Sequence, residues 1–221
     1  VYFYDKVTGK VKHSKAFINT SNVYKFNWND VRNKIINIPD LMRDCNISEF
    51  RVTQFSALVC LLAVTGCRIS EGLLIKFNDF QYDKERLVLI VTLQNLKRNP
   101  NSKNVIKRYP ISFDKLKNKD YQLTIPIINY LAKVKKAIRN RKFKETDLLF
   151  GNLTREIVYY YCTKYLNINP HGFRHLRLQN LIVDEQKNVK VVQKIAGHTN
   201  INHLDSYIEL STKNIEDELY G

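Results

Sequence analysis

The apolar residues of this chain change their spacing twice, and that change limits the architectures open to it. From about Asn29 they recur at helical intervals, first Val31, Ile35, Ile36 and Leu41, then Phe55, Leu58, Val59, Leu62 and Ala63, until Gly66 closes the run in a C-cap position. Two helices are therefore expected before residue 66, and a short one restarts from Ser70 to Ile75. From Arg86 to Leu93, and again from Val105 to Ile111, apolar and polar residues alternate, which predicts two strands around a loop of Lys, Arg, Asn, Pro and Ser, a long basic hairpin. Helical spacing returns from Ile125 to about Arg139, where Pro126 suits a first turn. It continues from Thr154 to Leu166, from His171 to about Asp184 and from Val189 to Ala196, where Gly197 interrupts it. Asn202 to Leu210 and Thr212 to Leu219 are short helical candidates. The expected fold is mainly α with a small antiparallel β-sheet.

Residues 1 to about 26 alternate Tyr, Phe and Val with Lys, Gly and Thr, too short a stretch for a core of its own and more like a strand pair or linker. The expected division is an N-terminal extension over residues 1–27 and one compact domain over 28–221, within the usual size of a single core. The chain opens at Val1 with neither Met nor a signal-like segment, so residues upstream in a longer protein are expected.

Charge narrows the partners. Lys and Arg total 36 against 21 Asp and Glu, a net charge of +15, while 44% hydrophobic content separates the chain from disordered basic tails. Such an excess calls for a polyanion. Nucleic acid ranks ahead of a membrane, because the longest apolar run, Phe55 to Cys67, falls short of the ~18 residues a span needs. Four cysteines, Cys45, Cys60, Cys67 and Cys162, form no C-x-x-C pair, which favours small core residues in a reducing, intracellular setting over a zinc ribbon or redox motif.

Three local patterns carry chemistry: T-G-C-R-I-S-E at 65–71, H-G-F-R-H at 171–175 and A-G-H-T-N-I-N-H-L-D-S-Y at 196–207. As an ordered set they resemble the active-site signature of the tyrosine recombinase (integrase) family. In that family an Arg in a T-G-x-R-x-S-E turn, a hairpin Lys, an H-x-x-R pair, a G-H and a Tyr nine residues beyond it converge on one phosphate. Arg68, His171, Arg174, His198 and Tyr207 stand at those positions. The resemblance spans roughly residues 28–220 and implies a DNA breaking-rejoining catalytic domain. It implies a 3′-phosphotyrosyl intermediate and no metal, ATP or other cofactor. The partners it implies are double-stranded DNA and further protomers, a tetramer in the synaptic complex, with the protein inside the cell and on DNA. Most of the family's core-binding domain, which closes a clamp around DNA, is expected to lie outside this stretch.

The residue types suit the chemistry. A phosphodiester attacked in line gathers charge on its non-bridging oxygens, and the forked guanidiniums of Arg68 and Arg174 can hold those oxygens. His171, three residues before Arg174 on a helix, shares its face and can orient the phosphate or take the tyrosine proton, while His198 donates a neutral hydrogen bond. Tyr207 is the nucleophile; a phenol of pKa about 10 attacks poorly at neutral pH unless cations and a base favour the phenolate. The family's lysine, the general acid for the leaving 5′ oxygen, is assigned to Lys97 at the end of the first hairpin strand, with Lys103 in the loop as the alternative. The family's short G-K-G turn is here replaced by L-K-R-N-P-N-S-K-N. Arg98, Lys103, Lys107 and Arg108 are expected to touch backbone phosphates.

Other readings compete. Arg68 and Glu71, three apart, are in most chains a surface ion pair; in this setting Glu71 is expected to orient its neighbours. His171 and His175 at i, i+4 have the spacing of a zinc pair, but the glutamate of H-E-x-x-H is absent and Arg174 would repel the cation. His175 and His203 are expected to be structural or surface residues, and Tyr207 is one of 13 tyrosines, singled out by its distance from Gly197 and His198. At the level of function, the alternatives are a type IB topoisomerase, whose centre is similar but which relaxes DNA, and a non-catalytic DNA-binding protein. Residues 208–221 are expected to contact a partner protomer through Ile208, Leu210, Ile215 and Leu219.

Overall fold

A computed structural model describes residues 2–4, 11–13, 27–94, 106–197, 201–205 and 208. Strands β1 (Tyr2–Tyr4) and β2 (Val11–His13) pair antiparallel, the first of the two readings, strand pair or linker, that the N-terminal alternation left open. The helices that follow are α1 (Trp28–Ile36), α2 (Ile38–Leu41), α3 (Glu49–Thr65) and α4 (Ile69–Leu73). Next come β3 (Phe80–Asp83), β4 (Val88–Gln94) and β5 (Ile106–Ser112). Helix α5 (Tyr121–Arg139) precedes α6 (Arg155–Tyr161), which runs on as a π-turn over Cys162–Leu166. Helix α7 (Pro170–Gln179) ends in another π-turn over Asn180–Asp184, and α8 (Val189–Ala196) and a 3₁₀ turn at Ile201–Leu204 complete the described part.

Helix α3 is the axis of the core. Every residue from Gln54 to Thr65 is buried, so this part of the helix has no solvent face and must be covered on all sides; α5 and α7 pack along the helix, with α1, α2 and α4 closing the remainder. Its ends are set locally: the Ser48 side chain accepts from the Arg51 amide, and Gly66 takes φ +63°, the left-handed cap at which a side chain would be strained. Of the polar groups it brings inside, the Gln54 amide is tied down through Nε2, which donates to the Leu149 carbonyl at 2.9 Å and to the Tyr130 hydroxyl at 3.1 Å.

The sheet has order β3-β4-β5, all antiparallel. The expected hairpin is therefore its β4–β5 part, and the third strand, β3, was not legible as alternation because it has only four residues. The first hairpin strand starts at Val88 rather than Arg86, because Asp83 Oδ1 accepts from the Arg86 amide at 3.0 Å and turns the chain there. On β4, Leu89, Val91 and Leu93 face the core. Their partners on β5 are Ile111, Tyr109 and Lys107, so a lysine holds the inward register position across from Leu93. Helix α5 also differs from expectation: it begins at Tyr121, which leaves Pro126 inside the helix and not in its first turn. The amide Pro126 lacks would have bonded the carbonyl of Gln122, an exposed residue.

A second, smaller apolar cluster of Leu178, Leu181, Ile182, Val192, Ala196 and Leu204 joins α7 and α8 to the 3₁₀ turn, and Ile208 packs against it. Ile208 thus lies on the chain's own core; Leu210, Ile215 and Leu219 lie outside the described residues. Cys60, Cys67 and Cys162 are buried as small core residues, and Cys45 contacts the Tyr165 hydroxyl at 3.1 Å. Among the described residues no helix is long and apolar enough to cross a membrane.

Candidate active site

Arg68 is the N-cap of α4, one residue past the loop that leaves Gly66. Glu71, at the third helical position, reaches back: Oε2 accepts from the Arg68 amide at 3.0 Å and Oε1 from Arg68 Nη1 at 2.9 Å. The carboxylate is fully buried and the arginine side chain 18% exposed, so this is not the surface ion pair that such spacing most often makes. Glu71 holds the guanidinium by its inner edge.

Helix α7 starts with Asn169 accepting from the Gly172 amide at 2.9 Å and with Pro170 in the first turn. Gly172 is required by close approach, since a Cβ there would sit 2.7 Å from Ile168 Cγ1. One turn on, Arg174 is 3% exposed. Its Nη1 donates to the Gly66 carbonyl at 2.7 Å and its Nη2 to the Ala196 carbonyl at 2.7 Å. Those carbonyls belong to the other two motifs: Gly66 precedes Arg68 by two residues, and Ala196 ends α8 immediately before Gly197, a left-handed cap at φ +64°. The H-G-F-R helix therefore ties the T-G-C-R turn to the A-G-H turn through one side chain.

His171 is half-buried, its ring centroid 4.5 Å from that of His175 in an edge-to-face arrangement. Burial, and then the Arg174 charge, lower the His175 pKa from its ordinary value, so this imidazole is neutral at pH 7. Cys67 is adjacent in sequence to Arg68, but burial pushes its thiol up to about 11, with Glu71 adding to the rise against the Thr65 hydroxyl, which leaves it no thiolate to act with at neutral pH.

Lys107 brings the sheet into this cluster. Its Nζ lies 3.2 Å from the Ala196 carbonyl and 3.7 Å from Glu71 Oε1, and its side chain is 9% exposed. Arg108, one position on and facing the other way, is exposed. Lys97, Arg98, Lys103, His198 and Tyr207 lie outside the described residues.

Arg177, one turn past Arg174, drew no notice in the sequence and proves to be a second internal clamp. Its Nε donates to the Val64 carbonyl at 3.2 Å and its Nη1 to Asp120, Asn180 and Glu185 at 2.9, 2.9 and 3.0 Å, with the Trp28 ring 5.7 Å away. The readable signal was its i, i+3 relation to Arg174, which puts both arginines on the face of α7 turned to α3. A polar cleft of about 530 Å³ lined by Trp28, Arg32, Asp120 and Gln179, among others, contains none of Arg68, His171, Arg174 and Lys107.

The model of the phage integrase family matches residues 33–214. Among solved structures, the chain is similar to the XerH site-specific recombinase bound to its palindromic difH substrate in a post-cleavage complex, at TM-score 0.62 and 17% identity over 86% of this chain and 51% of that one. The pre-cleavage XerH complex with difH gives TM-score 0.58 at 17% identity, covering 81% of this chain and 47% of that one. The Tn1549 transposon integrase in complex with transposon right-end DNA gives 0.50 at 19% identity, covering 89% and 66%. The chain thus spans about half the length of the XerH chains whose fold it shares. No curated protein sequence matches it.

Proposed function

Because the chain belongs to the phage integrase family, the tyrosine recombinases, we propose that it cuts and rejoins DNA strands at specific sites through a 3′-phosphotyrosyl intermediate, in the service of a mobile element or of chromosome resolution. The observation that supports this most is the bridge made by Arg174. By donating to Gly66 and Ala196 at 2.7 Å each, it brings three motifs separated by up to 130 residues in sequence into one cluster of cationic groups.

In this reaction the phenol oxygen of Tyr207 forms a bond to phosphorus in line with the 5′ oxygen, whose bond to phosphorus breaks. The phenol proton passes to a base, for which His171 stands on α7, and a hairpin lysine, Lys97 or Lys103, returns a proton to the departing 5′ oxygen. Arg68, Arg174 and His198 offset the charge that accumulates on the non-bridging oxygens. One phosphodiester replaces another, so the bond's free energy is conserved and the reverse attack by a 5′ hydroxyl needs no ATP. The cations of the site supply the charge that a metal provides in other phosphoryl transfers. Residues 28–221 form the catalytic domain and residues 1–27 an extension, working on duplex DNA with other protomers, as a tetramer at synapsis, wherever in the cell that DNA resides.

A duplex nicked beside the scissile phosphate tests this. Attack releases a short 5′ piece that diffuses away, so the protein stays joined to the 3′ end and runs as a shifted band on a denaturing gel. Adduct with the native chain and none with Tyr207→Phe is the expected outcome; retardation of the duplex without any adduct would make this a DNA-binding protein only. Relaxation of supercoiled plasmid without joining of two sites would point to topoisomerase action.

A further inference from the structure

Lys107 stands where β5 calls for an apolar residue. It shares the inward face with Tyr109 and Ile111, opposite Leu93, which is 2% exposed. Burying an ammonium there is costly unless it is paired, and both groups near it belong to the arginine cluster. Glu71, 3.7 Å away, is the carboxylate that holds Arg68, and the Ala196 carbonyl, 3.2 Å away, is the one that also accepts from Arg174. The contacts close a ring: Arg68 to Glu71, Glu71 to Lys107, Lys107 to Ala196, Ala196 to Arg174, Arg174 to Gly66, and Gly66 back along the chain to Arg68.

We propose that Lys107 is a positioning residue whose ammonium bridges Glu71 and the Ala196 carbonyl, locking the hairpin strand to both the Arg68 turn and the turn that precedes His198. It is therefore neither a backbone-phosphate contact nor the proton donor to the leaving oxygen. Its kinetic consequence rests on the strand-cleavage function proposed above; its placement does not. Burial lowers the Lys107 pKa, and Arg174 and Arg68 lower it further against the support of Glu71, as befits an ammonium packed among cations.

Lys107→Met and Lys107→Arg, made in the full chain, give three readouts. Amide hydrogen exchange at residues 194–197 is expected to quicken roughly tenfold in Lys107→Met and to return near the native rate in Lys107→Arg, with the α3 interior unchanged. The salt dependence of duplex binding is expected to keep its native slope; loss of about 0.9 from that slope would show a phosphate contact and overturn the proposal. Cleavage of the nicked duplex is expected to slow roughly tenfold or more in Lys107→Met, with no recovery on a substrate carrying a bridging 5′ sulfur. Recovery on that substrate would make Lys107 the acid and also overturn it, as would unaltered exchange at 194–197. If the native chain cleaves nothing while the exchange result holds, the cleavage function fails and the positioning role stands. Should Lys107→Met not fold, Lys107→Gln, which keeps a donor for Ala196 but no charge for Glu71, is scored by the same three readouts.

Discussion

A guanidinium that is 3% exposed and donates to the carbonyls of Gly66 and Ala196 is part of the fold as well as part of a site. Arg174→Ala would leave the buried Gly66 carbonyl without that donor, at about 1–3 kcal/mol before relaxation, and the Ala196 carbonyl with only the longer bond from Lys107. The variant is expected to lose about 2–4 kcal/mol of stability in chemical denaturation, together with cleavage; an unchanged midpoint would mean the two hydrogen bonds contribute nothing net. The resemblance of the T-G-C-R and H-G-F-R motifs to the family's signature grouped Arg68 with Arg174, because such motifs record which residues must meet. It could not show that Arg174 is gripped by main chain, since carbonyl partners leave no mark in a sequence. Lys107 was readable in principle from its phase with Tyr109 and Ile111, but a lysine in a basic hairpin reads as surface until the register is known.

At the scale of elements, α3 bears most of the load, and the long apolar spacing that ends at Gly66 announced it. Leu61 is fully buried in that helix, and Leu61→Ala is expected to cost about 2–5 kcal/mol, measurable as a lower unfolding midpoint at unchanged denaturant slope. A cost below about 1 kcal/mol would show that the helix is not the packed axis described. The glycine caps at Gly66 and Gly197 were legible because a left-handed residue has few chemical substitutes. Other features were not. Strand β3 is only four residues long, and the start of α5 at Tyr121 was hidden by Pro126, which signals a first turn because its missing amide costs no helical hydrogen bond there. Both cases turn on tertiary surroundings rather than on local preference.

For the whole molecule the governing quantity is the net charge of +15. Lys135, Lys136, Arg139, Arg141, Lys142 and Lys144 are all exposed around the end of α5, and Arg108 is exposed on β5. Duplex DNA is expected to bind with little sequence preference and with a logarithmic affinity that falls by about 0.9 per neutralised phosphate for each tenfold rise in salt. Affinity that stays flat across a salt titration would remove electrostatics as the source of binding.

The chemistry itself comes down to one oxygen. With the native chain and a nicked duplex, the covalent adduct is digested and its DNA-linked peptide sequenced. The account predicts a single linkage, from the 3′ phosphate to Tyr207, absent in Tyr207→Phe while folding and duplex binding persist. A linkage to any other residue, or an adduct that survives in Tyr207→Phe, would contradict it.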